Sequence, residues 1–228
     1  MKKKTLLSWS SGKDSAWALH VLRRQPDIEV VGLFCTVNQE FGRVAMHAVR
    51  TELVRQQAQH IGLPIQLILL PHPCSDSAYE AIMKNFIKHA KEQGIECFAF
   101  GDIFLEDIRK YREVNLAGSG ITPVFPLWGM STKKLSGDMV SGGLRAIITC
   151  VDPKHLSADF AGQEYGESFL ERIPASMDPC GENGEFHTFA YDGLMFKKPV
   201  HISIGETVSR DGFVFTDLLP AQQMTESS

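Results

Sequence analysis

The sequence predicts an α/β protein: a doubly wound parallel sheet followed by a smaller C-terminal α+β subdomain. Over the first 130 residues, short apolar runs alternate with segments whose apolar residues recur at helical spacing. The short runs are nearly continuous, as in strands covered on both faces. From about Ser131 this alternation stops.

Residues 5–9 (Thr-Leu-Leu-Ser-Trp) read as the first strand, and residues 15–24 as a helix that Pro26 ends. Residues 29–37 are β-branched and apolar, a buried strand. Met46, Val49, Leu53, Val54, Ala58 and Ile61 mark a helix closed by Gly62 and Pro64. Residues 65–70 are a strand, and residues 79–93 a helix capped by Asp76 or Ser77 with Gly94 after it. Residues 97–100 form a strand ending at Gly101-Asp102, and residues 106–116 a helix. Such βαβ units give a parallel sheet with helices on both faces. Further on, residues 144–151 read as a strand, 163–173 as helical and 178–185 as a Gly-rich acidic loop. Residues 201–204 and 213–216 are strands joined across Arg210-Asp211-Gly212, a hairpin signal. The expected organisation is one domain at 1–130, a second at 131–220 packed directly on it, and a polar tail at 221–228.

With 43% hydrophobic and 22% charged residues in 228, the chain has the balance of a globular enzyme with a sizeable core. Its net charge of −4 gives no long-range attraction for a polyanion, which disfavours nucleic acid as a partner. The run Lys2-Lys3-Lys4 reads as a solvated tip. No apolar stretch reaches the roughly 18 residues that a membrane span needs. The five cysteines (Cys35, Cys74, Cys97, Cys150 and Cys180) are odd in number and show no C-x-x-C spacing. A disulfide framework and a cysteine zinc site are both disfavoured, and a reducing cytoplasm is expected.

The segment Ser10-Ser11-Gly12-Lys13-Asp14-Ser15 lies between the first strand and the first helix. Small residues let backbone N–H groups approach an anion, and the helix points its positive end at the same place. Lys13 adds a charge; the hydroxyls of Ser10 and Ser15 add donors. A Walker A loop would need glycine where Leu7 stands, so the loop suits a pyrophosphate-sized group. Asp14 beside a phosphate implies a helix cap or a bound Mg²⁺. A capped strand-to-helix turn accounts for the same residues, but strand ends in such sheets are where ligands bind.

This segment resembles the S-G-G-K-D-S signature of the PP-loop ATP pyrophosphatases, with Ser11 at a position usually held by glycine. Gly101-Asp102-Ile103, Pro126-Leu127-Trp128 and the segment from Cys180 to Thr188 resemble elements of the diphthine–ammonia ligase (diphthamide synthetase) branch. Asn183 replaces a glycine of that pattern, and His187 stands where glutamate is common. The likeness extends over roughly residues 5 to 218. It implies a Rossmann-like fold of the adenine nucleotide alpha-hydrolase type. It also implies cleavage of ATP between its α and β phosphates.

On this resemblance Ser10, Ser11, Gly12, Lys13, Asp14 and Ser15 bind ATP, while Phe34 and Gly101 flank the nucleotide. For Phe34 plain core packing is the alternative. Lys13, Asp102, Glu182 and Glu185 are the catalytic candidates, and Asp14 and Asp102 the Mg²⁺ ligands. The two glutamates would bind metal or position an attacking amine. Arg109, Arg112, Gly181, Gly184, His187 and Thr188 are candidates for holding the acceptor; the two arginines can grip a carboxylate or phosphate or pair with Glu106 or Glu113. His47 reads as a capping or solvated residue. The implied reaction is amidation of a small-molecule or protein carboxylate by ammonia through an acyl-adenylate. In the family the acceptor is diphthine on translation elongation factor 2. Competing readings are a PP-loop enzyme acting on tRNA or a small cofactor precursor, and a non-catalytic adenine-nucleotide-binding protein. A homo-oligomer is left open.

Overall fold

The computed structural model describes residues 1–44 and 49–221. Met46 and His47, and the tail from residue 222, lie outside the described residues. The first half runs β1 (Lys3–Ser8), α1 (Lys13–Leu22), β2 (Ile28–Asn38), β3 (Arg43–Val44), α2 (Thr51–Ile61), β4 (Ile65–Leu70), α3 (Asp76–Glu92), β5 (Cys97–Ala99), α4 (Glu106–Leu116) and β6 (Thr122–Val124). The second runs α5 (Thr132–Ser141), β7 (Arg145–Val151), β8 (Glu164–Tyr165), α6 (Glu167–Arg172), β9 (Phe186–Asp192), β10 (Ile202–Arg210) and β11 (Phe213–Pro220).

The first sheet has the parallel order β4-β2-β1-β5-β6. The short β3 pairs antiparallel with the far end of β2. The chain moves outward from β1 in one direction and then, through β5, in the other. The switch point therefore falls between β1 and β5, where a crevice opens at the strands' carboxyl ends. The second sheet is antiparallel. Its β7 carries β9 on one edge and β8 and β11 on the other, with β10 outside β11. The expected doubly wound α/β architecture is present. One apolar core joins Leu7, Leu19 and Leu53 to Ile148, Phe186 and Phe189. A second packs Phe34, Phe86, Phe98 and Phe100 between the first sheet and α3.

Local departures from the sequence expectation have physical causes. The helix expected over 163–173 is split: Tyr165 pairs with Ala146 as a strand. Gly166, extended at φ −158° and ψ −169°, ends that strand before α6. The helix α5 has Gly137 in its interior and few apolar residues, which hid it. The helix α1 starts at Lys13, two residues earlier than expected. The hairpin of β10 and β11 is longer than its apolar pattern showed, and Asp211 and Gly212 turn it at φ 52° and 84°. Two successive positive φ values are what a two-residue hairpin turn requires. Among the described residues no helix is long and apolar enough to cross a membrane.

Candidate active site

The loop between β1 and α1 is tied down from behind. Ser11 is fully buried at φ 71°, a left-handed conformation that a side chain disfavours. Its carbonyl accepts from the Ala190 N–H and from the Gln57 side-chain amide, each at 2.9 Å. The Lys13 N–H donates to Thr188 Oγ1 at 3.1 Å, so β9 grips the loop at two points. On the open side, Ser15 Oγ donates to the Gly12 carbonyl at 2.9 Å, and Ser10 Oγ donates to Ser15 Oγ at 3.2 Å. The first bond of α1 runs from Ala16 N–H to Gly12 O at 3.1 Å. The N–H groups of Asp14 and Ser15 precede it, at the positive end of the helix.

Lys13 is not the bare point charge that the loop sequence suggested. Its side chain is only 3% exposed, and Nζ lies 2.9 and 3.0 Å from the two Asp14 carboxylate oxygens. Nζ also donates to the Cys180 carbonyl and sits over the rings of Phe186 and Tyr165 at 5.2 and 5.6 Å. Burial by itself lowers the ammonium pKa, but Asp14, Cys180 and Glu182 together more than offset this and the net direction is up. Lys13 is thus a charged strut between the first loop and the acidic loop. A desolvated ammonium persists only with such partners.

The second loop follows β5. A side chain at Gly101 would place Cβ 3.1 Å from the Asp14 carbonyl carbon and 3.2 Å from the Ser15 nitrogen. The glycine is what lets these two backbones touch. Next to it, Asp102 Oδ2 is buried with no hydrogen-bond partner among the described residues, 3.6 Å from Arg112 Nε. Burial raises the Asp102 pKa, Asp14 adds to the rise and Arg112 opposes it.

The third loop is the acidic one. Gly181 turns it at φ 67°, and a Cβ there would meet the Phe186 ring at 2.7 Å. Glu182 Oε1 accepts from the Ile103 N–H at 2.7 Å, and the Glu182 N–H donates to Asp178 Oδ2 at 2.8 Å. Burial pushes the Glu182 pKa up to about 7, with Asp14 and Asp102 contributing and the Ile103 N–H and Lys13 opposing. Glu185 is buried behind the loop. Its Oε1 accepts from Asn183 Nδ2 at 3.0 Å, and its Oε2 has no hydrogen-bond partner among the described residues.

The three loops enclose one cavity of about 270 Å³. Ser10, Lys13, Asp14 and Ser15 line it from the first loop, Gly101 and Asp102 from the second, and Gly181, Glu182 and Gly184 from the third. His187 and Thr188 of β9 and Arg112 of α4 complete it. It adjoins a second cavity of about 440 Å³ with mainly apolar walls that include Phe34, Cys35, Met83, Ile87 and Phe98. Ser10, Phe100, Ile108, Arg112 and His187 border both. Phe34 packs against Phe98 at 4.9 Å between ring centres, as its core-packing alternative expected, and one side of it lines the larger cavity. Ser11, Gly12 and Glu185 support the walls without forming them. Arg109 faces elsewhere: it pairs with Glu113 at 2.8 Å and stacks over Trp128 and Phe125 at 4.7 and 5.1 Å.

One residue of the loop's support was absent from the sequence reading. Gln57 is fully buried on α2, in the apolar stripe that includes Leu53, Val54, Ala58 and Ile61. A lone amide in such a stripe is the signal that marks it.

A parallel sheet with a helix N-terminus at its switch point, facing a cavity of mixed polarity, defines a Rossmann-like α/β protein. The chain belongs to the diphthamide synthase family: residues 2–121 match the model of the family's N-terminal domain and residues 131–217 that of its C-terminal domain. It is similar to the diphthine–ammonia ligase of Danio rerio, 34% identical over 140 residues, which cover 57% of this chain and 54% of that protein. The Homo sapiens diphthine–ammonia ligase is 30% identical over 141 residues, 57% of this chain and 51% of that protein. That of Mus musculus is 28% identical over 141 residues, 58% of this chain and 51% of that protein. The chain spans about half the length of the curated relatives it matches.

Proposed function

We propose that this protein is an ATP-dependent C–N ligase that activates a carboxylate as an acyl-adenylate and passes it to ammonia, releasing AMP and pyrophosphate. The observation that carries this is the meeting of the three loops on one cavity of mixed polarity that shares lining residues with an apolar one. The apolar cavity suits an adenine ring. The N–H groups of Asp14 and Ser15, with the hydroxyls of Ser10 and Ser15, suit the phosphates. Gly101 keeps the second loop against the first, and Ser11 and Gly12 shape the turn.

In this reading a carboxylate oxygen attacks the α-phosphorus, the P–O bond to pyrophosphate breaks, and ammonia then displaces AMP from the acyl carbon. Lys13 contributes charge while holding the acidic loop in place. Glu182, poised near neutrality, accepts a proton from the attacking amine. Glu185 fixes the acidic loop through Asn183. Arg112, His187 and Thr188, with Gly181 and Gly184, border the acceptor side; Arg109 stands apart from it. Residues 1–130 supply the ATP site and Arg112, and residues 131–220 the rest of the acceptor wall.

Mg²⁺ fits as an ion held jointly with the nucleotide. Among the described residues no three His, Cys, Asp or Glu side chains are grouped to hold it alone. The buried Asp102 Oδ2 has no hydrogen-bond partner among the described residues, and Asp14 is close enough to raise its pKa. One or two carboxylates plus phosphates and waters make an ordinary Mg²⁺ site. The ion would neutralise charge developing on the phosphates. The acceptor that the relatives' name indicates is diphthine, which makes a protein carboxylate the first choice over a small molecule. Free thiols throughout fit a cytoplasmic location.

Incubation with ATP, Mg²⁺, ammonium and diphthine-bearing elongation factor 2 tests the reading. AMP and pyrophosphate should form in step with amide, and only when the acceptor is present. Release of ADP and phosphate would exclude it.

A further inference from the structure

We infer that Gln57 is a positioning residue that holds Ser11 in its left-handed conformation and so sets the shape of the phosphate loop. This rests on the proposed ATP site and names a determinant of it outside the cavity. The Gln57 side chain is fully buried and uses both of its ends. Its oxygen accepts from Trp9 Nε1 at 2.8 Å, and its nitrogen donates to the carbonyls of Ser11 at 2.9 Å and of Ala190 at 2.6 Å. One amide on α2 therefore joins the end of β1, the loop and β9.

The bond to the Ser11 carbonyl matters because of what Ser11 is doing. At φ 71° a serine sits in a region that a residue with a Cβ enters at a cost. Its hydroxyl gives no local compensation: among the described residues Oγ, which is buried, has no hydrogen-bond partner. The conformation must be imposed from outside, and the two groups on the Ser11 carbonyl are the Gln57 amide and the Ala190 N–H. Those bonds fix the plane of the peptide between Ser11 and Gly12. That plane in turn sets the direction of the N–H groups at the start of α1. Gln57 reaches the nucleotide only through this peptide, so it is a positioning and not a catalytic group.

The test is a rescue. Gln57→Met keeps the side-chain length and removes every hydrogen bond. It should weaken binding of ATP by roughly tenfold, the factor equivalent to the cost of one left-handed residue. Adding Ser11→Gly, which makes the conformation accessible without help, should return most of that loss. Gln57→Asn, one methylene short, should fall between the parent and Gln57→Met and serves if the latter does not fold. Parental affinity in the Gln57 variants would overturn the inference, as would a loss that Ser11→Gly leaves untouched. A crystal structure of ligand-free Gln57→Met reads the loop independently of ATP. Ser11 φ should leave the positive region, and retention near 71° would refute the inference even if the parent protein bound no nucleotide. Absence of ATP binding in the parent, with Ser11 φ relaxing as expected, would instead sink the ligase reading alone.

Discussion

The backbone N–H of Ile103 donates to the Glu182 carboxylate at 2.7 Å, closing the acidic loop onto the loop after β5. This contact buries Glu182 beside Asp14 and Asp102, and burial lifts its pKa to about 7. The folded pKa exceeds the unfolded one, so the proton is held more tightly in the native state. The associated stability is complete below about pH 4.5 and is lost as pH rises through about 7. Glu182→Gln, which keeps an acceptor for Ile103, should therefore gain in melting temperature relative to the parent between these limits. Parallel Tm curves across that window would show that the buried charge is not costly.

Ser11→Gly should stabilise the protein by about 1 kcal/mol, the cost of a left-handed residue less the flexibility glycine adds to the unfolded chain. Relief of the unpartnered buried hydroxyl acts in the same direction. Chemical denaturation midpoints report it, and a lower midpoint would contradict the strain assigned to Ser11.

Gly101→Ala should leave the fold intact and slow turnover. Its Cβ would press on the Asp14 backbone at 3.1 Å, and displacing reacting groups by about 1 Å costs on the order of 10²-fold. Steady-state kcat/KM for ATP checks this; a parental value would mean that the two loops do not share a site.

Lys13→Ala should reduce turnover by roughly 10²-fold or more, on the scale of losing one positioned charge-stabilising group. It should also lower Tm, because the ammonium ties Asp14 to the Cys180 carbonyl. A variant with full ATP turnover would remove Lys13 from the mechanism.

Asp217 of β11 receives Arg43 at 2.8 Å and Arg50 at 2.5 Å. Although burial opposes it, the two guanidinium groups bring the Asp217 pKa down to about 2. The stability this gives is present above about pH 3.8 and is lost as pH falls toward 2. Asp217→Asn should lower Tm at neutral pH, with the difference from the parent shrinking on acidification. A constant difference would show the pair to be inert.

Most of the parallel half was legible because its longer strands are apolar runs punctuated by Gly and Pro; residues 65–70 and 106–116 were placed to the residue, while the short β3 and β6 gave no run to read. The second half was less so. Tyr165 is a strand residue only because Ala146 lies beside it, and β9 alternates too weakly to announce itself. In the site, loop chemistry showed itself as motifs. Orientation was harder: nothing in the motif turns Lys13 inward, which follows from the distant Cys180 carbonyl, whereas for Arg109 the pairing with Glu113 was one of two readings and Trp128 favours it. Gln57 carried a signal, an amide in an apolar stripe, whose meaning depended on the unseen position of Ser11.

Adenylation of a carboxylate moves one of its oxygens onto AMP, and an isotope label follows that oxygen. With an acceptor whose carboxylate carries ¹⁸O, turnover with ATP and ammonium should leave one labelled oxygen in the phosphate of AMP, read by mass spectrometry. AMP that forms without label would contradict the acyl-adenylate and with it the account given for the three loops.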